Sequence, residues 1–214
     1  MYIPKHFEQP QIENMHELMR AWPLATLVTL SSGGLAANHI PLHLTCAPAP
    51  FGTLRCHVAR ANPLWRDFSQ KVEVLAIFHG PDVYITPSWY VTKQETGKVA
   101  PTWNYAVVHA YGTLRAIDDA AWVREHLETL TDHHEAHFPK PWAVSDAPRE
   151  FIEETIKAIV GIEIVITRLS GKWKVSQNQP AQNQAGVIEG LGCCGHRGAA
   201  NMAALVEATA RGKC

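Results

Sequence analysis

Apolar and polar residues alternate along several short stretches in the first half of the chain, which is the pattern of half-buried β-strands. Strands are predicted at residues 24–30, 35–45, 53–59, 72–78, 83–86 and, at greater length, 102–117. Tight turns are predicted at residues 31–34 and at Gly80-Pro81, because glycine, serine and proline favour turns. A short amphipathic helix at residues 11–22 precedes the strands. Many short strands in succession predict a small β-barrel.

Helical periodicity replaces the strand pattern after Asp118 and Asp119, two residues that can cap a helix. Helices are predicted at residues 119–130, 151–159, 180–191 and 199–210, with one last strand at residues 161–169. The predicted fold class is therefore mainly β (α+β), a barrel with peripheral helices and a helical C-terminus. We expect one barrel domain at residues 1–191, with inserted helices at about 119–160. A helical tail at residues 192–214 is expected to pack on that domain.

The overall charge argues against one class of partner. The chain has 214 residues, of which 46% are hydrophobic and 18% charged, and its net charge is −1. This composition is ordinary for a globular protein with a real core. Nucleic-acid binders usually carry a basic face, so direct binding to DNA is doubtful.

The cysteines and the N-terminal sequence indicate the expected compartment. The five cysteines, Cys46, Cys56, Cys193, Cys194 and Cys214, are odd in number and contain no CxxC pair. This argues against a disulfide framework or a structural zinc site and favours a reducing interior. No apolar run has the length of a signal peptide or a membrane span. We therefore expect a cytoplasmic location and no membrane association.

Histidines are common metal ligands, but their spacing in this chain argues against a metal site. His133 and His137 lie four residues apart and could bind a metal on a helix, although a solvated polar face is the favoured alternative. His39 and His43 lie about 13 Å apart on an extended strand, at about 3.3 Å per residue, which is too far for one ion. We predict no metal site.

Two segments contain the first candidate binding residues. In the segment NHIPLHL, His39 and Pro41 face away from Ile40 on a strand, and Pro41 has no N–H to give to a central ladder. A proline there fits a place where the strand leaves its neighbour and faces a ligand. The alternative is a half-exposed strand face with two histidines.

The segment HVARANPLW joins a strand to a predicted short helix at residues 62–68. Arg60 lies in the turn, and Asn62 and Pro63 are a favourable N-cap and first helical residue. A guanidinium beside a helix N-terminus is a good phosphate site. In the alternative interpretation, Asn62 only caps the helix and Arg60 is solvated.

Three further segments place aromatic and amide side chains together: YITPSWY, PTWNY and KVSQN. A flat heteroaromatic ring needs such an environment, with an apolar face below it and amides at its edge. Core aromatics and a polar turn are the alternative for each segment taken alone.

These segments together resemble the PaiB family, which is named for negative regulation of protease synthesis and sporulation in bacteria. The matching stretches are MYIPKHF, NHIPLHL, HVARANPLW, FHGPDVYITPSWY, APTWNYAVVHAYG, IVGIEIVITRLSGKWKVSQN and GVIEGL, in order from residue 1 to about residue 191. The resemblance implies a split β-barrel of the FMN-binding type, related to pyridoxine-phosphate oxidase-like flavin proteins. It also implies a homodimer with FMN at the interface.

The resemblance assigns candidate FMN-binding residues in four groups. It places His39, Ile40 and Pro41 along the flavin, and His57, Arg60 and Asn62 near the phosphate. Trp103, Asn104 and Tyr105 would border the ring, and Ser176, Gln177 and Asn178 would close the site. Arg60→Ala is expected to weaken FMN binding without unfolding the barrel.

The sequence departs from the family pattern near its C-terminal end. Gln179 occupies a position where the family usually carries arginine, and the pair Asn183-Gln184 stands where the family usually carries an acidic residue followed by arginine. If those arginines hold phosphate, FMN affinity is expected to be lower in this chain. Residues 192–214 carry no transferable motif.

Three functions are compatible with these observations. The first is an FMN-binding negative transcriptional regulator, which would act through a partner or metabolism because no helix-turn-helix is evident. The second is an FMN-dependent oxidoreductase, either a flavin reductase or a small-molecule oxidase, since FMN itself supplies the redox chemistry. The third is a haem-binding split-barrel protein, for which the twelve histidines offer candidate ligands.

Overall fold

The computed structural model of the chain describes residues 1–212. Eight strands form an antiparallel sheet, and six α-helices accompany it. The strands are β1 (Glu8–Gln9), β2 (Leu24–Ser31), β3 (Gly34–Pro41), β4 (His43–Thr45), β5 (Thr53–Ala59), β6 (Val74–Ile85), β7 (Thr102–Ile117) and β8 (Ile159–Lys174). The helices are α1 (Ile12–Ala21), α2 (Thr92–Thr96), α3 (Ala120–Glu135), α4 (Arg149–Lys157), α5 (Ala181–Cys193) and α6 (Ala199–Ala210).

The strand order in the sheet is β3-β2-β6-β7-β8-β5-β4, with β1 paired to β8. Short connections join the neighbours β2 and β3, whose register places Thr26 opposite His39 and Ala25 opposite Ile40. The strand β5 pairs along its whole length with β8, with Cys56 opposite Ile162. The predicted bounds of β5, β7 and α6 are confirmed. None of the helices within residues 1–212 has the length and apolarity needed to cross a membrane.

The chain forms two compact units. Unit 1 comprises residues 1–22, 78–109 and 169–212, and it contains α1, α2, α5 and α6. Its buried side chains include Met19, Phe78, Ile85, Leu191 and Met202. The predicted C-terminal tail therefore belongs to unit 1 as far as residue 212, and its last two residues lie outside the described part.

Unit 2 comprises residues 23–77 and 110–168, and it contains β2 to β5 together with α3 and α4. The two helices lie between β7 and β8 in the sequence, as predicted. They share a small apolar core with the buried side chains of Val123, Val144, Ile152 and Ile156. On β5, Leu54, Cys56 and Val58 are buried, as strand alternation requires.

The turn predicted at Gly80-Pro81 is wrong. Strand β6 runs through both residues from Val74 to Ile85, where two separate strands were expected. Gly80 serves close packing here, because a Cβ on it would lie 2.8 Å from Leu18 Cδ1 and 3.1 Å from the Ala106 carbonyl oxygen. A glycine needed for close approach looks in sequence like a glycine needed for a turn.

The strand predicted at residues 35–45 is divided in two. Strand β3 pairs with β2 and ends at Pro41, whereas β4 begins at His43 and pairs with β5. Between them the Leu42 N–H donates to the Pro23 carbonyl at 2.9 Å. The chain therefore leaves its first neighbour at Pro41, as the missing N–H predicted.

The helix predicted at residues 62–68 is only one turn of 3-10 helix, Pro63–Trp65. The capping role of Asn62 is confirmed, since its side chain accepts a hydrogen bond from the Leu64 N–H at 2.9 Å. One 3-10 turn has almost no macrodipole. The argument for a phosphate site at a helix N-terminus therefore loses its structural basis here.

Candidate functional site

The twelve candidate residues divide evenly between the two units. Six belong to unit 2: His39, Ile40, Pro41, His57, Arg60 and Asn62. Six belong to unit 1: Trp103, Asn104, Tyr105, Ser176, Gln177 and Asn178. Each set is described within its own unit.

In unit 2, the end of β3 follows strand alternation. Ile40 is buried, while His39 and Pro41 are exposed on the opposite face. The His39 Nδ1 lies 3.1 Å from the Thr26 hydroxyl on the paired strand, which fixes the ring against β2. His39 and Pro41 therefore offer an accessible surface, and Ile40 anchors it to the core.

Asn62 joins the turn after β5 to strand β3. Its side-chain amide donates to Asn38 Oδ1 at 2.9 Å, while its own carbonyl oxygen caps the 3-10 turn. Trp65 Nε1 donates to the Arg60 carbonyl at 2.9 Å and closes the same turn. Asn38 lies in the segment NHIPLHL, but a single amide on a strand gives no signal of its hydrogen-bond partner, so the sequence does not predict this contact.

The Arg60 side chain is bound within the protein. Its guanidinium holds both Asp118 carboxylate oxygens, at 2.9 and 2.6 Å. Nε donates to the Lys157 carbonyl at 2.7 Å, and Nη2 donates to the Ile159 carbonyl at 3.2 Å. Four of the five guanidinium N–H groups are thereby used. Neither sequence interpretation foresaw this clamp.

The Arg60–Asp118 pair also alters the local charge. The hydrogen bonds from Arg60 hold the pKa of Asp118 below its ordinary value. The positive charge of Arg60 is therefore neutralised by the Asp118 carboxylate. One of the five guanidinium N–H groups of Arg60 remains for a ligand. A role for Arg60 at the flavin phosphate stays a prediction, and the structure adds a role in holding the turn.

His57 lies on β5 and contacts His126 of α3. Their ring centroids are 5.5 Å apart at an interplanar angle of 66°. His57 Nδ1 and His126 Nε2 are buried and have no hydrogen-bond partner. Burial lowers the pKa of His57, and burial with the nearby His57, His43 and Arg55 lowers that of His126 to about 4. Both imidazoles are neutral near pH 7.

In unit 1, the start of β7 and the end of β8 border a polar cavity of about 480 Å³, which we call the Asn104 cavity. Its lining residues are Tyr90, Thr92, Lys98, Val99, Ala100, Pro101, Thr102, Asn104, Lys174, Ser176, Asn178, Gln179, Pro180 and Asn183. Asn104, Ser176 and Asn178 were predicted from the sequence. The structure therefore brings together three of the six unit 1 candidates.

Asn104 is buried at the wall of this cavity, with 1% of its surface exposed. Its amide nitrogen donates to the Ser176 hydroxyl at 2.9 Å, whereas Oδ1 is buried and has no hydrogen-bond partner among the described residues. A buried carbonyl oxygen without a donor is costly. Asn104 Oδ1 is therefore an unsatisfied acceptor at the wall of the cavity.

Ser176 has a left-handed backbone, with φ of 64°. Such a conformation is uncommon outside glycine and asparagine and often accompanies functional sites. Gln177 stabilises this turn, because its Oε1 accepts from the Val175 N–H at 2.7 Å and its Nε2 donates to the Trp173 carbonyl at 2.5 Å. Gln177 is thus engaged by the backbone and is not among the lining residues.

Trp103 and Tyr105 face away from Asn104, since neighbouring residues of a strand point to opposite sides. They line a separate depression of about 460 Å³ with His79, Gly80 and Asp82. Trp103 is 51% exposed, and its ring lies 6.0 Å from that of Tyr84. Within the segment PTWNY, Asn104 therefore lines the Asn104 cavity, whereas Trp103 and Tyr105 line the separate depression.

Sequence reasoning missed the two lysines of the Asn104 cavity. Lys174 Nζ donates to the Trp103 carbonyl at 2.7 Å and to the Thr102 hydroxyl. Burial and the nearby Lys172 lower the pKa of Lys174. Lys174 lies in the segment KVSQN, but only the structure shows that it and Lys98 line the same cavity.

An amide network forms at the positions that depart from the family pattern. Asn183 Oδ1 accepts from the Thr92 backbone N–H at 3.2 Å, and its Nδ2 donates to Gln179 Oε1 at 3.1 Å. Gln184 Nε2 donates to the carbonyls of Ser176 and Gln179 at 3.2 and 3.0 Å. Neutral amides therefore hold the start of α5 in this chain.

The Asn104 cavity fits part of a flavin. Its volume lies within the usual range for ligand pockets, about 300–1,000 Å³. An N–H or O–H of FMN, from the ring imide or from a ribityl hydroxyl, matches the unpaired Asn104 Oδ1, and the carbonyl or phosphate oxygens match the donors around it. The donor and acceptor set is thus compatible with a flavin, and among the described residues no negatively charged side chain lines the cavity.

Comparisons with solved structures place this fold among split β-barrels. The structure aligns with the FAD and haem binding protein of Mycobacterium smegmatis with a TM-score of 0.56 and 16% identity, over 78% of this chain and 73% of that one. At this identity the likeness concerns the fold alone, and the fold is a split β-barrel.

Sequence relatives and a family model identify the family. The model described as "Putative FMN-binding domain" matches residues 1–168. The chain is 31% identical to the protease synthase and sporulation protein PAI 2 of Bacillus subtilis, over 97% of each chain. It is 35% identical to an uncharacterized protein of Emericella nidulans, over 89% of this chain and 90% of the other. The chain belongs to the PaiB-like family of FMN-binding domains.

Proposed function

We propose that this protein is a flavin-dependent negative regulator, in which the occupancy or oxidation state of bound FMN is the sensed signal. The observation that carries the proposal is the Asn104 cavity, with its unpaired buried acceptor and its donors. The relative from Bacillus subtilis, whose name refers to protease synthesis and sporulation, supports a regulatory role. A net charge of −1 favours action through a partner or metabolism over direct DNA binding.

The chain's own residues would bind and orient the flavin. Asn104 would accept a hydrogen bond from an N–H or O–H of the cofactor, and Ser176 would fix the Asn104 amide. Within unit 2, His39, Pro41 and the Asn62 turn are the FMN contacts that the family resemblance implies, and burial keeps His57 neutral by lowering its pKa. When bound, FMN supplies one- and two-electron redox chemistry.

A homodimer in the cytoplasm is part of the proposal. The family resemblance implies FMN contacts from both subunits. The exposed aromatic side chains of Tyr84 and Trp103 support a contact surface in unit 1, because large exposed aromatics are enriched at protein interfaces.

An FMN-dependent oxidoreductase is the second candidate function. Lys174, whose pKa is lowered in a cavity of about 480 Å³, is the observation that favours it. A lysine of lowered pKa can bind a substrate anion or exchange a proton.

The test is a titration of the purified protein with FMN, followed by visible absorbance and flavin fluorescence, with haem titrated in parallel. We expect a flavin spectrum and saturable quenching. Asn104→Ala is expected to weaken binding on the order of tenfold, the effect of one lost hydrogen bond to a buried group. Asn201→Ala, an exposed asparagine on α6, is the matched control.

Three outcomes separate the candidates. Binding of haem with a Soret band, and no binding of FMN, would overturn the proposal in favour of the haem alternative. Rapid reduction of bound FMN by a nicotinamide cofactor would favour the oxidoreductase. Full complementation of a deletion strain by an Asn104→Ala variant that has lost FMN binding would exclude flavin sensing.

A further inference from the structure

We propose that the Asn104 cavity is an anion site, in which Lys98 and Lys174 bind a phosphate or carboxylate group while Asn104 accepts a hydrogen bond from the same ligand. The inference deepens the proposed function and rests on it for the presence of FMN nearby. Two sources can supply this chemistry, the phosphate of FMN itself and a separate small anion.

The charges around the cavity support an anion. Lys98 and Lys174 are its two cationic lining residues, and the lining set contains neither aspartate nor glutamate. Within residues 1–212, no carboxylate pairs with either lysine. A partly buried cation without a counter-ion is unfavourable, and a bound anion would remove that penalty.

The geometry of Lys174 leaves it able to bind. An ammonium group has three N–H donors, and two of them go to the Trp103 carbonyl and the Thr102 hydroxyl. These bonds hold Nζ at the cavity wall and leave one N–H for a ligand. Burial and Lys172 lower the pKa of Lys174, and a bound anion would raise it again.

Asn104 restricts the class of ligand further. Its Oδ1 is buried without a donor, and its amide nitrogen is already committed to Ser176. The ligand must therefore carry an N–H or O–H near its anionic group. A flavin phosphate ester with its ribityl hydroxyls meets this requirement, and so does a 2-hydroxy acid.

The cavity wall beside Lys98 and Lys174 carries neutral amide side chains in this chain. Gln179 lines the cavity at a position where the family resemblance implies arginine. Asn183 lines it as well, and both side chains are occupied by the amide network. Neutral amides contribute no attraction for an anion at long range. Lys98 and Lys174 are therefore the cations that remain to attract one.

The experiment measures the affinity of four probes at constant ionic strength: FMN, riboflavin, inorganic phosphate and L-lactate. Calorimetry follows the flavins, and the thermal midpoint follows the two small anions. Lys98→Met and Lys174→Met remove the cavity cations, and Lys140→Met removes an exposed lysine of unit 2 as a matched control. Lys98→Met tests the site even if Lys174→Met fails to fold, because Lys98 is exposed.

We expect both cavity variants to weaken at least one anionic probe tenfold or more, with no change in Lys140→Met. A loss of affinity for FMN but not for riboflavin identifies the FMN phosphate as the ligand group. A loss for phosphate or lactate with unchanged FMN affinity identifies a separate anion. Equal affinities for every anionic probe in wild type, Lys98→Met and a folded Lys174→Met would overturn the anion site.

Failure of the proposed function would give a different result from failure of the anion site. A wild-type protein that ignores FMN, but whose response to phosphate is lost in Lys98→Met, would remove the flavin function and retain the anion site. Lys174→Arg keeps the positive charge and is expected to keep most of the anion affinity.

Discussion

The Arg60 side chain connects three parts of unit 2. It binds Asp118 at the end of β7, the Lys157 carbonyl at the end of α4 and the Ile159 carbonyl at the start of β8. Its backbone N–H also donates to the Ala158 carbonyl at 2.8 Å. A residue expected to contact a phosphate thus also fixes the corner that precedes β8.

Substitution of Arg60 is therefore expected to have two effects. Arg60→Ala should lower the thermal midpoint and weaken FMN binding, because it removes both the clamp and the remaining N–H. Asp118→Asn is the matched variant, since it breaks the ion pair but keeps the guanidinium. Scanning calorimetry and FMN titration check both. If Asp118→Asn weakens FMN as much as Arg60→Ala does, the loss comes from the turn and not from a phosphate contact.

Gly161 is required by the ring of Trp122. A Cβ at residue 161 would lie 2.2 Å from Trp122 Cζ3, which no side chain can tolerate without movement. Gly161→Ala is expected to lower the free energy of unfolding by about 1–3 kcal/mol, the usual cost of overpacking. Gly195→Ala is the control, because its Cβ would meet nothing within 4 Å. Urea denaturation measures both, and equal stability of the two variants would contradict the packing argument.

At the scale of elements, α3 covers strands β4 and β5 with imidazole rings. The ring of His133 lies 5.6 Å from that of His43, and His126 stacks on Trp122 at 5.3 Å while meeting His57. Arg55 adds a further positive charge on β5, and Glu125 approaches it at 3.9 Å. The contact of His126 with Trp122 and His57 is therefore most favourable while His126 is neutral.

Acid is expected to weaken this contact. The pKa of His126 is about 4 in the folded protein, against an ordinary value of 6.5. Because the folded value is lowered, its stabilising effect is complete above pH 6.5 and is lost as the pH falls toward 4, by roughly 3 kcal/mol. Urea denaturation at pH 7.5, 5.5 and 4.5 measures the change. In His126→Phe, which keeps the stacking on Trp122, this part of the pH dependence should vanish, and an unaltered profile would contradict it.

At the scale of the whole molecule, the molar mass in solution tests the proposed homodimer. The chain has a mass of 23.7 kDa, so sedimentation equilibrium should give twice that value. Trp103→Glu is expected to shift the equilibrium toward the monomer, because a charge would replace an exposed aromatic ring. Phe138→Glu is the control at an exposed aromatic of unit 2. A wild-type protein that sediments as a monomer would remove the dimer from the proposal.

Sequence periodicity predicted most elements because it records local burial. The bounds of Thr53–Ala59, Thr102–Ile117 and Ala199–Ala210 follow directly from the spacing of apolar residues. Prediction failed at Gly80-Pro81, where the deciding contact comes from Leu18. This partner is distant in sequence, so no local pattern announces it. At Pro41 the missing N–H predicted that the strand leaves its neighbour, but not that the next residues pair with β5.

The candidate site also has some features that the sequence determines and others that only the tertiary structure decides. The sequence by itself determined the family, the alternation at His39, Ile40 and Pro41 and the cap at Asn62, because motif order and residue type are sufficient for these. Only the tertiary structure decided that Arg60 is clamped by Asp118, and that Lys98 and Lys174 line the Asn104 cavity. Charge pairing and cavity lining depend on distances between residues far apart in the chain, and a linear pattern does not contain those distances.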